Sequence, residues 1–435
     1  MERLREILDR HGYRIGCHMV NPSADLSPWP NYDLAKNNVV LMEGAIKTLL
    51  ALFYLGVPIA EDTLAPFLDD VLVARLDADG VLTRRGGTLV PLKIIIPYRA
   101  LYLVVDIPPF YPSRTTGRGD VYLGADSYLL GGYLPNRQGC DVLDLCCGSG
   151  IHAIAMAAQN NRVTSADIDP AAVALTNLNA RLNGVAHNVR CVRSDLFDAV
   201  DGAYELIVTK PPCQPVPDFL TDYPRAGRGG DDGLAIMRRV LEDCPRYLSR
   251  GGRLLSILQL LGDDRGVPFT EELAGYARTR GLGVSLYLTG RMAAARHVDL
   301  MAAYAPNIGA QEIARWKDDY RQAHHTHLYD AVITIDNDAS GSFGVTSRFF
   351  LSDDSVLNSQ DKGHIDAHLP QGMDMPILHG KFIDLCDGAR TVGDIKTALK
   401  AEFPQNEEAA DGLIRRIDYF AHWLVSNGLA RMEGP

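Results

Sequence analysis

Asp141-Val-Leu-Asp-Leu-Cys-Cys-Gly-Ser-Gly150 runs directly into Ile151-His-Ala-Ile-Ala-Met-Ala157. Val142, Leu143 and Leu145 predict a buried strand, and the glycine turn at its end opens a helix rich in alanine and isoleucine. Glycine lets a ligand approach the backbone closely, and the first turn of a helix carries N–H groups that have no partner within the helix. This stretch therefore predicts a strand–turn–helix unit that binds a ligand.

An acidic residue follows at the distance expected for a nucleotide site. Asp167 ends a second predicted strand, in Val163-Thr-Ser-Ala-Asp-Ile-Asp-Pro170, and lies 19 residues after Gly148. A carboxylate at that spacing is placed to accept hydrogen bonds from both hydroxyls of a ribose. The two stretches together predict a nucleotide-like cofactor held across the ends of two adjacent strands.

The composition is that of a folded protein and argues against nucleic acid as the partner. The chain has 435 residues, 46% hydrophobic and 22% charged, and this length predicts two or three domains. A net charge of −11 disfavours long-range attraction to nucleic acid. The apolar segment Thr48–Ala60 is too short for a bilayer, which needs about 20 residues, so we predict no membrane partner. The absence of an apolar signal segment and eight irregularly spaced cysteines favour the reducing cytoplasm.

The patterning predicts three regions. Residues 1–112 predict helices followed by a hairpin at Val81–Pro91, a winged-helix-like module for either packing and dimerisation or substrate recognition. A homodimer is therefore an open expectation. Residues 113–340 alternate between strands and helices, which predicts an α/β core with a mostly parallel sheet and helices on both faces. Residues 341–435 predict a loop and then a small helical or winged-helix-like domain, and the irregular sequence over 338–375 predicts a loop or an irregular hairpin. The helices predicted in this domain are Ile377–Cys386, Val392–Phe403 and Ala409–Asn427.

Seven strands are predicted in the middle region, and ligands of such sheets bind at the carboxyl ends of the strands. The predicted strands are Val142–Leu145, Arg162–Asp167, Val189–Ser194, Leu206–Thr209, Gly252–Leu258, Gly283–Leu288 and Ala331–Asp336. A mostly helical insertion is predicted between the last two, over Arg291–Leu328.

The first strand, its glycine turn and Asp167 resemble the first two motifs of class I S-adenosylmethionine-dependent methyltransferases. The usual turn of that family is Asp-x-Gly-x-Gly-x-Gly, and Cys146 stands here in place of its first glycine. The resemblance implies a Rossmann-like seven-stranded core with S-adenosylmethionine as its cofactor. The cofactor-binding residues that it implies are Asp126, Asp144, Cys146, Gly148, Gly150, Asp167, Ile168, Ser194, Asp195 and Leu196.

Ser194-Asp195-Leu196 lies at the end of the third strand. In the family, residues at this place bond the adenine amine and pack on the face of the ring. The resemblance implies that Asp195 accepts the amine and that Leu196 or Phe197 covers the ring. A helix cap or a solvated loop is the alternative role for Asp195.

The fourth strand ends in Lys210-Pro-Pro-Cys213, which resembles the Asn-Pro-Pro-Tyr signature of enzymes that methylate amino groups. In that signature the asparagine side chain and a Pro-Pro carbonyl hold the N–H₂ group of the acceptor, and the aromatic residue stacks on it. A charged lysine only donates hydrogen bonds, so Lys210 would instead pair with an anionic group or, with a lowered pKa, act as a base. The alternative is a surface lysine without a role in the site.

Two flanking stretches extend the resemblance to the protein-glutamine and ribosomal methyltransferases. Val121-Tyr-Leu-Gly-Ala-Asp-Ser-Tyr-Leu-Leu130 resembles the segment that closes over the cofactor in those enzymes. Gly227-Arg-Gly-Gly-Asp-Asp-Gly-Leu234 resembles the loop that follows their Pro-Pro signature. Tyr122, Cys213 and Tyr223 are candidate substrate contacts, and core packing is an equal alternative for the tyrosines.

The resulting hypothesis is a methyltransferase whose catalytic residues are Lys210, Pro211 and Pro212. Its main form is N-methylation of a small molecule or peptide that carries an anionic group near the acceptor. One alternative is a protein-glutamine or nucleic-acid N-methyltransferase. Others are transfer or cyclisation of the cofactor's aminobutyrate arm with release of methylthioadenosine, or a scaffold that only binds the cofactor. We predict no metal, because His324-His-Thr-His327 lacks accompanying cysteines or acids, and keep a histidine base there as an alternative.

Overall fold

The chain divides into two units, Met1–Tyr204 and Glu205–Pro435, which are described in turn. The structure is a computed structural model. It describes residues 1–21, 28–108, 111–112, 121–221, 223–302, 308–346, 356–359, 382–401 and 430–433. None of the helices in these ranges combines the length and the apolarity that crossing a membrane requires.

Short helices and a small sheet open the first unit. These elements are α1 (Glu2–Arg10), α2 (Tyr13–Val20), α3 (Tyr32–Val40), α4 (Gly44–Phe53), β1 (Ile59–Ala60), α5 (Glu61–Leu64), α6 (Asp70–Ala78), β2 (Leu82–Arg85) and β3 (Thr88–Pro91). β2 and β3 pair antiparallel across Gly86 and Gly87, which both have positive φ, and β1 pairs with the other edge of β3. The predicted hairpin is thereby confirmed. It forms because two glycines supply the left-handed turn that two-residue hairpin loops need. The winged-helix-like nature of this module stays a prediction.

The rest of the first unit contains an antiparallel pair of strands and then parallel strands that alternate with helices. The elements are β4 (Lys93–Tyr98), β5 (Leu101–Asp106), α7 (Ala125–Gly132), β6 (Asp141–Leu145), α8 (Ile151–Ala157), β7 (Arg162–Asp167), α9 (Pro170–Leu182) and β8 (Val189–Arg193). β7 lies between β6 and β8 and runs parallel to both, so the first three predicted strands occur in the order three–two–one. α9 has Pro170 in its first turn, and the Asp169 carboxylate caps the helix by accepting the Ala171 N–H at 2.8 Å.

The hairpin of β4 and β5 docks on α9 through two buried asparagines. Asn179 accepts the Val104 N–H at 2.7 Å and donates to the Val104 carbonyl at 3.0 Å. Asn183 does the same with Tyr102, at 3.0 and 2.7 Å. Each amide therefore satisfies a donor and an acceptor of β5, as a neighbouring strand would.

The second unit contains the remaining strands of the core. The elements are β9 (Tyr204–Thr209), α10 (Ala235–Tyr247), β10 (Leu248–Gly262), α11 (Phe269–Arg280), β11 (Gly283–Ala293), α12 (Ala294–Ala302), α13 (Ala310–Gln322), β12 (His327–Asp336) and β13 (Phe343–Thr346). The strand order is β9-β10-β12-β11-β13, in which β12 runs antiparallel to both of its neighbours. The seven predicted strands are all confirmed, and α12 and α13 confirm the helical insertion. The α/β Rossmann-like fold class is confirmed as well.

The described part of residues 338–375 contains strands of two different sheets, which corrects the prediction of a loop or an irregular hairpin there. Phe343–Thr346 form β13, a parallel edge strand on β11. Val356–Ser359 form β14, which pairs antiparallel with β15 (Asp387–Thr391) and β16 (Ala430–Glu433). A helix, α14 (Val392–Ala401), follows β15. The first half of the helix predicted over Ile377–Cys386 and all of the one over Ala409–Asn427 lie outside the described residues.

Candidate functional site

The turn after β6 uses the left-handed backbone region at three positions. Cys146, Gly148 and Gly150 have φ values of +59°, +54° and +77°. Gly148 and Gly150 adopt these angles without strain, whereas an L-residue such as Cys146 incurs roughly 1–2 kcal/mol there. The departure of Cys146 from glycine is therefore larger than its small side chain suggests, because the backbone conformation and not the space is what calls for glycine.

Gly148 and Gly150 serve different purposes. A Cβ at Gly150 would lie 2.5 Å from the Thr176 side chain of α9, so this glycine lets the turn approach the helix. A Cβ at Gly148 would meet no atom of the described residues within 4 Å. The backbone at Gly148 thus borders open space that a ligand can occupy.

Asp167 connects the turn to the end of β7. Its Oδ2 accepts the Gly148 N–H at 2.9 Å and its Oδ1 accepts the Asp169 N–H at 2.9 Å. Burial raises the pKa of Asp167, and the two backbone hydrogen bonds oppose that rise. Each carboxylate oxygen has a second acceptor site, so Asp167 retains capacity for the hydroxyls of a ribose.

Asp144 lies beneath the turn, and its side chain is only 1% exposed. Its Oδ2 accepts the Ala153 N–H at 3.0 Å in the first turn of α8, and its Oδ1 is 3.8 Å from His152 Nδ1. The other ring nitrogen of His152 is 3.0 Å from the carbonyl of Ser127, beside Asp126 in the first turn of α7. The start of α7 is therefore held next to the turn, as the candidate role of Asp126 requires. Direct cofactor contacts by Asp126 and Asp144 stay predictions.

Two α9 residues that the sequence analysis missed support the turn from below. Thr176 donates to the Gly148 carbonyl at 3.3 Å, and Asn179 donates to the Ser149 carbonyl at 2.9 Å. Both side chains are fully buried. With Asn183 they form a buried polar stripe at helical spacing on an otherwise apolar face, and this stripe is the signal that could have identified them.

The end of β8 holds the proposed adenine residues in a tight loop. Ser194 is buried. Its Oγ donates to the Leu196 carbonyl at 2.7 Å and accepts the Ala199 N–H at 2.9 Å. The Ser194 N–H donates to the Asp167 carbonyl at 2.9 Å, which joins this loop to the end of β7. Leu196 has a φ of +50°, and Asp195 and Ile168 are half-exposed. The structure brings these residues together with the turn, and their adenine contacts stay predictions.

The candidate acceptor residues lie in the second unit, directly after β9. Lys210 is half-buried there, while Pro211 and Cys213 are buried. Gln214 donates its N–H to Gly227 and accepts the Gly229 N–H at its carbonyl, both at 2.9 Å. The two stretches that the sequence analysis singled out, Lys210–Cys213 and Gly227–Leu234, are thus adjacent in space.

The candidate substrate contacts are less exposed than expected. Tyr223 is 5% exposed, and its hydroxyl donates to Gln214 Oε1 and lies 3.1 Å from Met301 Sδ. Cys213 is 6% exposed. Tyr122, in the first unit, is half-buried with its ring tilted against Trp29 at 6.5 Å. Packing therefore accounts for the positions of Tyr223 and Cys213, and substrate contact by these three residues stays a prediction.

No group of three or more histidine, cysteine, aspartate or glutamate side chains within the described ranges is arranged to hold a metal. In the histidine tract, burial lowers the pKa of His325, and Asp263 and Asp232 act in the opposite direction. A base role for this tract stays a prediction.

Comparison with known proteins identifies the family. The model of the methyltransferase small domain matches residues 122–260. A protein of Methanocaldococcus jannaschii, provisionally named a protein N5-glutamine methyltransferase, is 37% identical over 138 residues, which are 31% of this chain and 68% of that protein. The chain belongs to the class I S-adenosylmethionine-dependent methyltransferases. The family resemblance predicted from the sequence is thereby confirmed.

Two further methyltransferases match parts of this chain. The ribosomal protein uL3 glutamine methyltransferase of Xanthomonas campestris is 41% identical over 134 residues, which are 28% of this chain and 43% of that enzyme. The chain therefore spans less than half the length of this relative. The solved structure of a geranyl diphosphate methyltransferase in complex with S-adenosylmethionine is 14% identical and covers 49% of this chain and 84% of that one, with a TM-score of 0.31.

S-adenosylmethionine is the cofactor of this methyltransferase, and the first unit fits it. The open space at Gly148, the start of α8 and the carboxylate of Asp167 are chemically suited to such a cofactor, and the ribose contact of Asp167 stays a prediction. The acceptor prediction is corrected in part. The two relatives from Methanocaldococcus and Xanthomonas are named for protein glutamine, which supports the protein-glutamine alternative better than a small molecule.

Proposed function

We propose that this methyltransferase methylates a side-chain nitrogen of a protein or peptide, with a glutamine amide as the first candidate. The observation that carries the proposal is the 37% identity to a protein N5-glutamine methyltransferase over 68% of its length. The Pro211-Pro212 turn directly after β9 supports it, because the corresponding signature in this family aims a backbone carbonyl at an N–H₂ group. A ribosomal protein is the target only in the names of relatives.

The proposed roles follow from the strand ends. Asp167 holds the ribose, Gly148 and Gly150 form the turn beside the cofactor, and Asp195 with Leu196 receives the adenine. S-adenosylmethionine supplies a methyl group already activated on its sulfonium. The protein's own contribution is to align the acceptor nitrogen and to exclude water, so that few residues are strictly catalytic.

Lys210 modifies the proposal, because a lysine cannot accept a hydrogen bond from an amide N–H₂ group. The neighbouring amide of Gln214 is engaged as well, since its Oε1 accepts the hydroxyl of Tyr223. We therefore propose that Lys210 binds a carboxylate of the acceptor peptide, next to the residue that is methylated. The Pro-Pro backbone then holds the amide by itself.

Peptide methylation tests the proposal. The purified protein is incubated with S-adenosylmethionine and paired glutamine peptides, one with a glutamate beside the glutamine and one with an alanine there. We expect S-adenosylhomocysteine and a peptide 14 Da heavier (roughly one CH₂ unit), with at least about fivefold preference for the glutamate peptide, as one charge-assisted bond provides. Lys210→Ala should remove that preference, whereas Lys317→Ala, which breaks an ion pair with Asp299 in α12, should keep it. Methylthioadenosine in place of S-adenosylhomocysteine would contradict methyl transfer.

A further inference from the structure

The helical insertion and the segment after Pro211-Pro212 share one buried core. Segment 213–223 contributes Val216, Leu220 and Tyr223 to this cluster. The insertion of α12 and α13 contributes Ala294, Val298, Trp316 and Tyr320. Trp316 is fully buried and is the largest side chain in the cluster. The position of segment 213–223 therefore depends on how the insertion packs.

Three contacts of polar or cationic side chains further restrain segment 213–223. The Tyr320 hydroxyl donates to the Pro215 carbonyl at 2.7 Å, in a buried bond between residues 105 positions apart. The Tyr223 hydroxyl joins Gln214 to Met301 of α12. The Arg315 guanidinium lies 4.3 Å from the centre of the Phe219 ring. Together they hold segment 213–223 at its start, middle and end.

The bond from Tyr320 acts on a restrained part of the chain. Pro215 has a fixed φ, and Gln214 before it is held on its other side by the glycine stretch through Gly227 and Gly229. A displacement of Pro215 is therefore taken up by the residues that follow it in segment 213–223, because Gln214 is held. Tyr320 is the side chain that opposes such a displacement from the insertion.

We propose that the insertion of α12 and α13 is an acceptor-specificity element, with Tyr320 as its positioning residue. It sets how segment 213–223 is presented to the peptide acceptor. The inference rests on the proposed function, because it concerns the acceptor side of that same reaction. Tyr320 touches neither cofactor nor acceptor in this proposal and acts only through Pro215.

Tyr320→Phe tests the proposal, because it removes one hydroxyl and keeps the ring in the core. The buried Pro215 carbonyl then loses its donor, so KM for a glutamine peptide that the unaltered protein methylates should rise about 5- to 100-fold. We expect kcat and the Kd for S-adenosylmethionine to stay within about twofold. Tyr276→Phe is the matched control, since its hydroxyl also bonds inside the second unit, to Cys244 Sγ at 3.3 Å, and should leave KM unchanged.

The outcomes separate this proposal from the proposed function. An unchanged KM in Tyr320→Phe would overturn the positioning role. A rise in the Kd for S-adenosylmethionine as large as the rise in KM would overturn it as well. If the unaltered protein methylates no peptide, the proposed function fails, and amide hydrogen exchange of segment 213–223 then decides the positioning role. Faster exchange there in Tyr320→Phe than in Tyr276→Phe would support it, and equal exchange would refute it.

Discussion

Replacing Asp167 with alanine tests the centre of the cofactor site. The carboxylate accepts the Gly148 N–H of the turn and the Asp169 N–H at the start of α9. Its loss removes a charge-assisted acceptor for the ribose, worth about 1.5–3 kcal/mol, so the Kd for S-adenosylmethionine should rise about 10- to 150-fold. Two backbone N–H groups also lose their acceptor. Part of the resulting loss of stability is offset, because a carboxylate whose pKa is raised by burial is itself costly to keep ionised.

Because two backbone N–H groups lose their acceptor, Asp167→Ala also lowers the stability of the fold, and the binding assay must control for this. We expect the free energy of unfolding of Asp167→Ala to fall by about 2–4 kcal/mol, from the two lost bonds to a charged group less the relief of burial. Calorimetric titration with S-adenosylmethionine, at a temperature where the variant is folded by circular dichroism, measures the binding loss by itself.

Asp169→Ala is the matched control for both quantities. Asp169 caps α9 by accepting the Ala171 N–H, so its removal should reduce the free energy of unfolding by about 1 kcal/mol. It is two residues from Asp167 and has no proposed role toward the ribose, so the Kd should stay within about twofold. If both variants bind S-adenosylmethionine equally well, the assignment of Asp167 to the ribose is wrong.

Three further predictions concern the glycine turn, its support and a buried histidine. Gly148→Ala and Gly184→Ala both place a side chain at positive φ with no described atom within 4 Å, so each should lose about 1–2 kcal/mol of stability, but only Gly148→Ala should weaken cofactor binding in calorimetry. Asn179→Ala leaves backbone groups of β5 and the Ser149 carbonyl without partners, so its midpoint in urea should fall and its cofactor Kd should rise at least about threefold; an unchanged Kd would refute the support role. Burial lowers the pKa of His297 to about 4, so the unfolded chain takes up this proton first. The stability of the unaltered protein should therefore fall by up to about 3 kcal/mol between pH 6.5 and 4, and urea titrations of His297→Leu should show a shallower fall.

The sequence predicted the parts of the fold that have a local signature. The alternation of apolar runs with helical patterns located all seven strands, because each run reports its own burial. The hairpin at Gly86 and Gly87 was predictable for the same reason, since its turn type depends on two adjacent residues. The stretch around Phe343 was not, because its glycine and serine content indicates a loop while the open edge of β11 provides a pairing partner.

The candidate site divides along the same line. The glycine turn and Asp167 could be recognised because their chemistry is written in short stretches at a set spacing. The contacts of Tyr320 with Pro215 and of Asn179 with Val104 join residues 105 and 75 positions apart, and no pattern within either stretch specifies its partner.

The sequence by itself thus determined the positions of the seven strands, the cofactor turn and the unusual Lys210-Pro-Pro-Cys213 signature. Hydrophobic periodicity, glycine and residue spacing are local properties of the sequence. Only the tertiary structure decided that Cys146 occupies a left-handed position, that Asp144 lies beneath the turn, and that Tyr223 is packed beside Gln214. These properties depend on backbone angles and on neighbours brought together by folding. The contacts of segment 213–223 with α12 and α13 likewise join stretches far apart in the sequence, and only folding brings them together.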